Sequence, residues 1–345
     1  MNTPDWLATE LPILQAPMAG VQGSALAIAV CQGGGLGALP CAMLSGEEIR
    51  EEVARIRAQT DRPFNLNFFA HAVPAPDPER EAAWRARFAA YYEEFGLDPA
   101  SATGGPARRP FDAEIAALVR ALRPPVVSFH FGLPADDLLA EVRSAGARIL
   151  ASATTVAEAL WLEARGVDAI IAQGIEAGGH RGLFLSEDLD TQLGTLALVP
   201  QVVQAVRVPV IAAGGIADAR GVHAALALGA AAAQVGTAYL LCPEATTRAV
   251  HRAALKSERA RHTALTNVFS GRPARGIVNR LMTELGPMAA DAPRFPLATA
   301  ASAPLRAKAE SLGVDDFSPL WAGQNTSGCR EVPAADLTRA LAGLA

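Results

Sequence analysis

The feature of this sequence that most constrains its fold is an eightfold alternation of short apolar runs with alanine-rich stretches of helical character. The runs are continuously apolar, which is typical of strands buried on both faces of a parallel sheet. We therefore predict repeated βα units, and eight of them favour a closed (β/α)8 TIM barrel of the α/β class. The predicted strands are residues 12–16, 35–39, 64–68, 126–130, 148–152, 169–173, 208–213 and 233–237.

One interval between predicted strands is too long for a plain crossover helix. The third strand should end at residue 68 and the fourth begin at residue 126, with a charged helix over residues 78–95 between them. Residues 71–110 are therefore interpreted as an insertion. We predict a barrel domain over residues 1–262, including this insertion, and a C-terminal extension over residues 263–345 that packs over the barrel mouth. A split into two domains is the second interpretation.

Local signals place the helices and exclude some partners. Ser45 with Glu48, and Thr155 with Glu158, have the spacing of a capping box and predict helix starts. Hydrophobic residues make up 50% of the chain, and the net charge of −5 with scattered arginines argues against nucleic acid as a partner. The sequence has no apolar run of about 18 residues and no leader-like N-terminus, so we expect a cytoplasmic protein without a membrane segment, either monomeric or homodimeric.

The four cysteines are far apart in the sequence and share no spacing with one another or with histidine. They predict neither a disulfide framework nor a metal site. They are Cys31, Cys41, Cys242 and Cys329.

Glycines stand at the carboxyl ends of the seventh and eighth predicted strands. Gly214 and Gly215 come directly after the seventh strand, and Gly236 lies in the eighth. In such barrels this edge commonly binds the phosphate of a ligand, and glycine lets backbone N–H groups approach phosphate oxygens closely. The order of the two turns therefore predicts a phosphate site. Asp218 should cap the helix that follows.

The loop after the sixth strand contains four glycines in ten residues and one histidine, His180. So many glycines indicate a loop that is pressed against a ligand, with His180 near the barrel axis. Its neighbour Arg181 is either an attractor of anions or a solvated loop charge. We predict that the four histidines without a motif, His71, His223, His251 and His262, lie at the surface.

Four motifs together resemble the nitronate monooxygenase family, formerly called 2-nitropropane dioxygenases. They are QAPMAG at 15–20, NLNF at 65–68, SFHFG at 128–132 and EAGGHRG at 176–182. The likeness runs from residue 11 to about residue 244, and residues 320–324 resemble the family's C-terminal region. The resemblance implies a barrel that binds FMN without a covalent link and oxidises alkyl nitronates, such as propionate 3-nitronate, with O2 to a carbonyl product and nitrite.

The resemblance also implies roles for particular residues. One face of the flavin ring would lie on Ala16, Pro17 and Met18, and the ring edge or ribityl chain would contact Asn67 and Gln173. The rest of the cofactor, down to its phosphate, would be held by Gly178, Gly179, Gly214, Gly215, Gln234, Val235, Gly236 and Thr237. His180 would act as a base toward a nitroalkane or as a hydrogen-bond donor to a nitronate. His130 would either join it in the substrate site or pack under the insertion.

Other functions stay open on the sequence. An NAD(P)H-dependent FMN reductase of the enoyl-acyl-carrier or quinone reductase type also carries an EAGGH-like loop, but SFHFG favours nitronate oxidation. A non-flavin barrel, or a binding protein without catalysis, is a further alternative. The family often has tyrosines in its C-terminal region, whereas this tail offers Phe295, Phe317 and Trp321. The choice between a carboxylated and a simple alkyl nitronate is therefore open.

Overall fold

The computed structural model describes residues 7–101 and 108–344. Each predicted strand is present with its ends shifted by at most three residues, and three further strands form a second, small sheet. The strands are β1 Ile13–Gln15, β2 Gly37–Pro40, β3 Phe64–Phe69, β4 Val126–His130, β5 Arg148–Ala153, β6 Ala169–Gln173, β7 Gly179–His180, β8 Val210–Ala213, β9 Ala232–Val235, β10 Thr263–Thr266 and β11 Ala274–Ile277.

The eight parallel strands form the predicted barrel. Their order is β1-β9-β8-β6-β5-β4-β3-β2, and a parallel bridge between Leu14 and Leu36 joins the two ends of the sheet. The α/β TIM-barrel fold is thereby confirmed. Alternate residues of the strands point in opposite directions. Leu14, Leu150 and Ile171 pack together inside the barrel, whereas Ile13 and Ile170 pack against the helices outside.

Helices surround the barrel and fill the additions to it. They are α1 Ser24–Gln32, α2 Gly46–Gln59, α3 Pro78–Ala86, α4 Ala89–Glu94, α5 Ala113–Leu122, α6 Asp136–Ser144, α7 Val156–Ala164, α8 Thr195–Ala205, α9 Ala219–Ala227, α10 Ala249–Leu255, α11 Arg280–Leu285, α12 Thr299–Ser311 and α13 Ala334–Leu341. None of the helices in the described ranges is long and apolar enough to cross a membrane.

The predicted helix caps are right in two cases and half right in a third. Ser45 and Glu48 form the full capping box of α2, and Asp218 accepts a hydrogen bond from the Gly221 N–H at the start of α9. Thr155 accepts from the Glu158 N–H, but the Glu158 carboxylate does not bond the Thr155 N–H. It bonds the Thr154 N–H and hydroxyl instead, both at 2.7 Å. Glu158 therefore supports the preceding turn.

The predicted insertion and the C-terminal extension share one hydrophobic core. Trp84 lies in α3, and Phe88 lies in the turn that follows this helix. Both pack with Phe269 and Phe317 of the extension, apart from the barrel core. The Trp84 indole N–H also donates to the Ala298 carbonyl at 3.2 Å. Residues 102–107 of the predicted insertion, and residues 1–6 and 345, lie outside the described residues. The domain boundary at residue 262 stays a prediction.

The extension contacts the barrel at several places along its length. Its strands β10 and β11 form an antiparallel sheet with β7, in which Ala274 pairs with His180. At the other end of the chain α13 packs on α1, and the Tyr239 hydroxyl bonds the Thr338 hydroxyl at 2.9 Å. The loop that carries His180 is thus held from above by residues nearly a hundred positions later in the chain.

Candidate active site

A cavity lies where the carboxyl ends of the barrel strands meet, the edge at which TIM barrels carry their sites. All but one of the predicted site residues line it. They are Ala16, Pro17, Met18, Asn67, His130, Gln173, Gly178, Gly179, His180, Gly214, Gly215, Gln234, Gly236 and Thr237. The exception is Val235, whose side chain packs in the main core and whose carbonyl accepts a 2.8 Å bond from the Ala16 N–H.

The glycine turn after β8 leaves backbone donors for a ligand. Gly214 and Gly215 have φ of +119° and +70°, a region that glycine adopts without strain. Their carbonyls are engaged by Thr195 at 3.0 Å and Asn325 at 3.1 Å. None of the described residues accepts a hydrogen bond from the N–H of Gly215 or of Gly236. Both glycines line the cavity at the ends of adjacent strands.

Gly236 leaves space that any other residue would fill. A Cβ added there would lie 3.2 Å from the Ala16 Cβ and 3.6 Å from the Met18 sulfur, and both of these residues line the cavity. Because its φ is −119°, backbone strain does not require glycine at this position. The close approach of the loop after β1 instead makes any side chain at this position a tight fit.

A buried amide cluster forms one polar wall. Asn65 and Asn67 both donate to the Ser128 hydroxyl oxygen, at 2.8 and 2.9 Å. These bonds fix the side-chain amide of Asn67, a residue that lines the cavity. The oxygen of this amide has no hydrogen-bond partner among the described residues. The hydroxyl oxygen of Ser128 already accepts two hydrogen bonds, so its own proton is free to donate. The wall offers both an acceptor and a donor.

Gln173 and His130 hold the loop of His180 by its backbone. The Gln173 amide donates to the His180 carbonyl at 3.0 Å and accepts from the Gly182 N–H at 2.8 Å. The Nε2 atom of His130 is 3.1 Å from the same carbonyl oxygen, and its Nδ1 atom is 3.0 Å from the Ser152 hydroxyl oxygen. A carbonyl only accepts, so Nε2 carries the proton. With both nitrogens engaged, His130 is arranged to position the loop.

The ring of His180 lies among aromatic side chains. Ring centroids of Phe295 and Trp321 are 5.2 and 5.4 Å from it, and that of Phe131 is 6.0 Å away. Its Nε2 is 2.8 Å from the Ser270 hydroxyl, while Nδ1 bonds no residue within the described ranges. Burial, with the charge of Arg108 as the next cause, holds the pKa of His180 well below its usual value. The imidazole is neutral at neutral pH.

Arg181 has neither of the roles expected for it. It is fully buried and does not line the cavity, so it is not a solvated loop charge or an attractor of anions. Its guanidinium donates to the carbonyls of Gln173 and Gly174 at 2.8 and 2.6 Å and to the Gln192 amide oxygen. Burial lowers the pKa of Arg181 to about 10, so it stays charged. It ties both ends of the β6 loop together.

Two of the four histidines expected at the surface are buried instead. His223 and His262 are exposed, as predicted, but the predictions for His71 and His251 are wrong. His71 follows directly on β3, and its place at a strand end was a signal that it lies near the barrel mouth. His251 shares a helix face with Ala254 and Leu255, three and four residues on, and lines the cavity. Burial lowers the pKa of both imidazoles to about 4.

Sequence reasoning also missed Ser270 and Arg108. Ser270 is buried beside His180, and Arg108 lines the cavity. Neither lies in a recognisable motif or at a strand end, so no local signal could have identified them.

The whole chain matches one family model, that of nitronate monooxygenase, over residues 3–343. A nitronate monooxygenase of Pseudomonas aeruginosa is 44% identical over 343 residues, which cover 97% of this chain and 96% of the relative. Another from Paraburkholderia phytofirmans is 45% identical over 339 residues, which cover 97% of this chain and 92% of the relative.

Two solved structures share the architecture. A nitroalkane oxidase from Streptomyces ansochromogenes has a TM-score of 0.88 and 40% identity, covering 97% of this chain and 96% of its own. FabK from Thermotoga maritima has a TM-score of 0.73 and 26% identity, covering 99% of this chain and 95% of its own. Both comparisons span the barrel and the extension alike.

Proposed function

The chain belongs to the nitronate monooxygenase family and is an oxidoreductase, and on this premise we propose that it binds FMN and oxidises alkyl nitronates with O2. The products would be a carbonyl compound and nitrite, and propionate 3-nitronate is a representative substrate. The observation that carries this proposal is the neutral imidazole of His180 in the same cavity as two free backbone donors at the ends of β8 and β9.

The residues present fit the phosphate of FMN. The unpaired N–H groups of Gly215 and Gly236 are donors of the kind that bind phosphate oxygens, and α9 begins just after the first of them. Gln234 and Thr237 flank Gly236 and add polar side chains to the same corner. No Asp or Glu lies among the cavity-lining residues of the described chain. A dianionic phosphate would therefore contact no carboxylate among the lining residues of the described chain.

The cavity wall also offers surfaces that suit the ring of FMN. Pro17 and Met18 provide apolar stacking surface after β1, and the Asn67 amide with the Ser128 hydroxyl provides hydrogen bonds to a polar ring edge. Gln173, whose amide already holds the β6 loop, has a second N–H left to donate. Bound there, FMN would supply the electron acceptor of the reaction.

The neutral state of His180 favours a nitronate over a nitroalkane as the substrate. A general base works best when its pKa is near the operating pH, and the pKa of His180 is far below it. A nitroalkane must lose its α-proton to such a base, whereas a nitronate has already lost it. An imidazole held through Nε2 by Ser270 can instead orient an anionic substrate by hydrogen bonding.

An anaerobic titration tests the proposal. The purified holoprotein should show visible flavin absorbance that decreases on addition of propionate 3-nitronate, and aerobic turnover should consume O2 and release nitrite. NADH should have little effect. Bleaching by NADH without a response to nitronates would favour a reductase, and a protein that takes up no FMN would contradict the cofactor assignment.

The cytoplasmic location and the choice between monomer and homodimer stay predictions.

A further inference from the structure

Arg108 is a cationic side chain on a cavity wall that contains no carboxylate. It is the one lysine or arginine among the cavity-lining residues of ranges 7–101 and 108–344. The lining histidines are neutral, because burial lowers the pKa of His130 to about 3 and that of His251 to about 4. Arg108 is therefore the charged side chain that a substrate would contact directly on the described wall of this cavity.

The guanidinium of Arg108 has no counter-ion within the described part of the chain. Its Nη1 donates to the Thr299 hydroxyl at 2.9 Å, and no described carboxylate lies within 4.0 Å of it. The next residue, Arg109, is exposed and bonds Asp112 and Glu114 at 2.6 Å each. Burial lowers the pKa of Arg108 to about 10, which leaves it charged at neutral pH. The two adjacent arginines thus differ in both respects: Arg108 is half-buried without a described carboxylate partner, and Arg109 is exposed and has two.

A half-buried cation without a counter-ion costs free energy, because its hydration is only partly replaced. Perturbed and unpaired charges of this kind cluster at functional sites, where a ligand supplies the missing partner. The planar fork of a guanidinium matches the two oxygens of a carboxylate. With one nitrogen bonded to Thr299, Arg108 still has donors left for such a group.

Arg108 and His180 flank the same aromatic ring. The Phe295 ring centroid is 5.7 Å from the guanidinium carbon of Arg108 and 5.2 Å from the ring centroid of His180. Both groups therefore lie beside the Phe295 ring, and their separation is no larger than the sum of these two distances. With a hydrogen bond of about 3 Å at each end, a molecule of a few carbon atoms can contact both.

We propose that Arg108 is the specificity-determining residue of this site and binds a carboxylate at the end of the substrate remote from the nitronate carbon. Arg108 would then favour short nitronates with a second anionic group, such as the propionate 3-nitronate already proposed as a substrate, over simple alkyl nitronates. This inference rests on the proposed nitronate oxidation. It names the residue that would decide between a carboxylated and a simple alkyl nitronate, a choice that the sequence left open.

The test is a substrate-ratio measurement on the holoenzyme and its Arg108→Gln variant. The ratio of kcat/KM for propionate 3-nitronate to kcat/KM for propyl-1-nitronate should fall about 30-fold or more, as expected for loss of a charge-assisted bond. Arg109→Gln, the same change one residue later, is the matched control and should keep the parent ratio. Arg108→Lys, which keeps the charge without the fork, should give an intermediate ratio.

A second readout does not depend on turnover. Binding of sodium propionate, followed by the change in visible absorbance of the holoprotein, should weaken by a similar factor in Arg108→Gln but not in Arg109→Gln.

Two outcomes would overturn the role of Arg108. One is an equal loss of kcat/KM for both nitronates in Arg108→Gln, and the other is the same change of the substrate ratio in Arg109→Gln. If Arg108→Gln fails to fold, a parent-like ratio in Arg108→Lys would also overturn it, since a single charged nitrogen cannot replace the fork. Failure of the parent to oxidise any nitronate would contradict the proposed function instead, while the propionate measurement would still test Arg108.

Discussion

At the scale of single residues, the site depends on where side chains are missing as well as on where they are present. Gly236 allows the loop after β1 to approach the end of β9, and Gly214 and Gly215 turn the chain with positive φ after β8. The first requirement is one of space and the second is one of backbone conformation. The two can be separated experimentally.

Replacement of Gly236 by alanine should weaken FMN binding about tenfold or more. The new Cβ would lie 3.2 Å from Ala16, so the two loops must separate, and overpacking of this kind costs about 1–3 kcal/mol. Equilibrium dialysis of the apoprotein with FMN measures the effect. Gly46→Ala is the matched control, because its Cβ would make an ordinary 3.6 Å contact with Leu118. Unchanged FMN affinity in Gly236→Ala would refute the position of the cofactor at this corner.

At the scale of elements, the loop between β6 and α8 is held in part by side chains that do not line the cavity. Arg181 joins the carbonyls of Gln173 and Gly174, and Glu158 accepts from the N–H of Phe184 at 2.6 Å. The pairing of β7 with β11 adds a third restraint. The imidazole of His180 owes its position to this scaffold.

Exchange of Arg181 for lysine should destabilise the protein although the charge is kept. A lysine cannot reproduce the fork that bonds two carbonyls and the Gln192 amide together, so buried acceptors lose their donors. We expect the free energy of unfolding in denaturant to fall by about 2 kcal/mol or more. The same exchange at exposed Arg261 serves as the comparison. A stability equal to that of the parent would mean that the fork is dispensable.

At the scale of the whole molecule, burial of four neutral histidines links stability to pH. The pKa values of His71 and His251 are lowered to about 4, that of His130 to about 3, and that of His180 well below its ordinary value, in each case mainly by burial. The unfolded chain therefore binds more protons than the folded one below pH of about 6.5. Their contribution to stability is complete above that pH and is lost as the pH falls toward the folded values.

The melting temperature should accordingly fall steadily between pH 6.5 and pH 5. Each histidine contributes at most about 1.4 kcal/mol of unfolding free energy per pH unit in this window. His251→Gln should make the profile shallower, and His223→Gln, at an exposed position, should leave its slope unchanged. Thermal melts of the apoprotein at fixed ionic strength measure the slopes. A profile that is flat from pH 6.5 to pH 5 would contradict the burial of these imidazoles.

The sequence by itself determined the barrel and the position of its site. Strand order follows from the βα repeat, and parallel strands bring their carboxyl ends to one edge, so Gly215, Gly236, Asn67 and His180 had to meet there. Turn glycines and helix caps such as Ser45 are local requirements of the backbone and are visible locally. Nothing in their identification needed distant parts of the chain.

Only the tertiary structure decided which polar side chains are buried and what they contact. The extension places Ser270 on His180, and it places Phe295 beside both His180 and Arg108, at sequence separations of about 90 to 190 residues. Arg181 and His251 also lie in the interior, although arginine and histidine are seldom fully buried. Burial and electrostatic environment are properties of all the elements that surround a group, and no stretch of sequence specifies them alone.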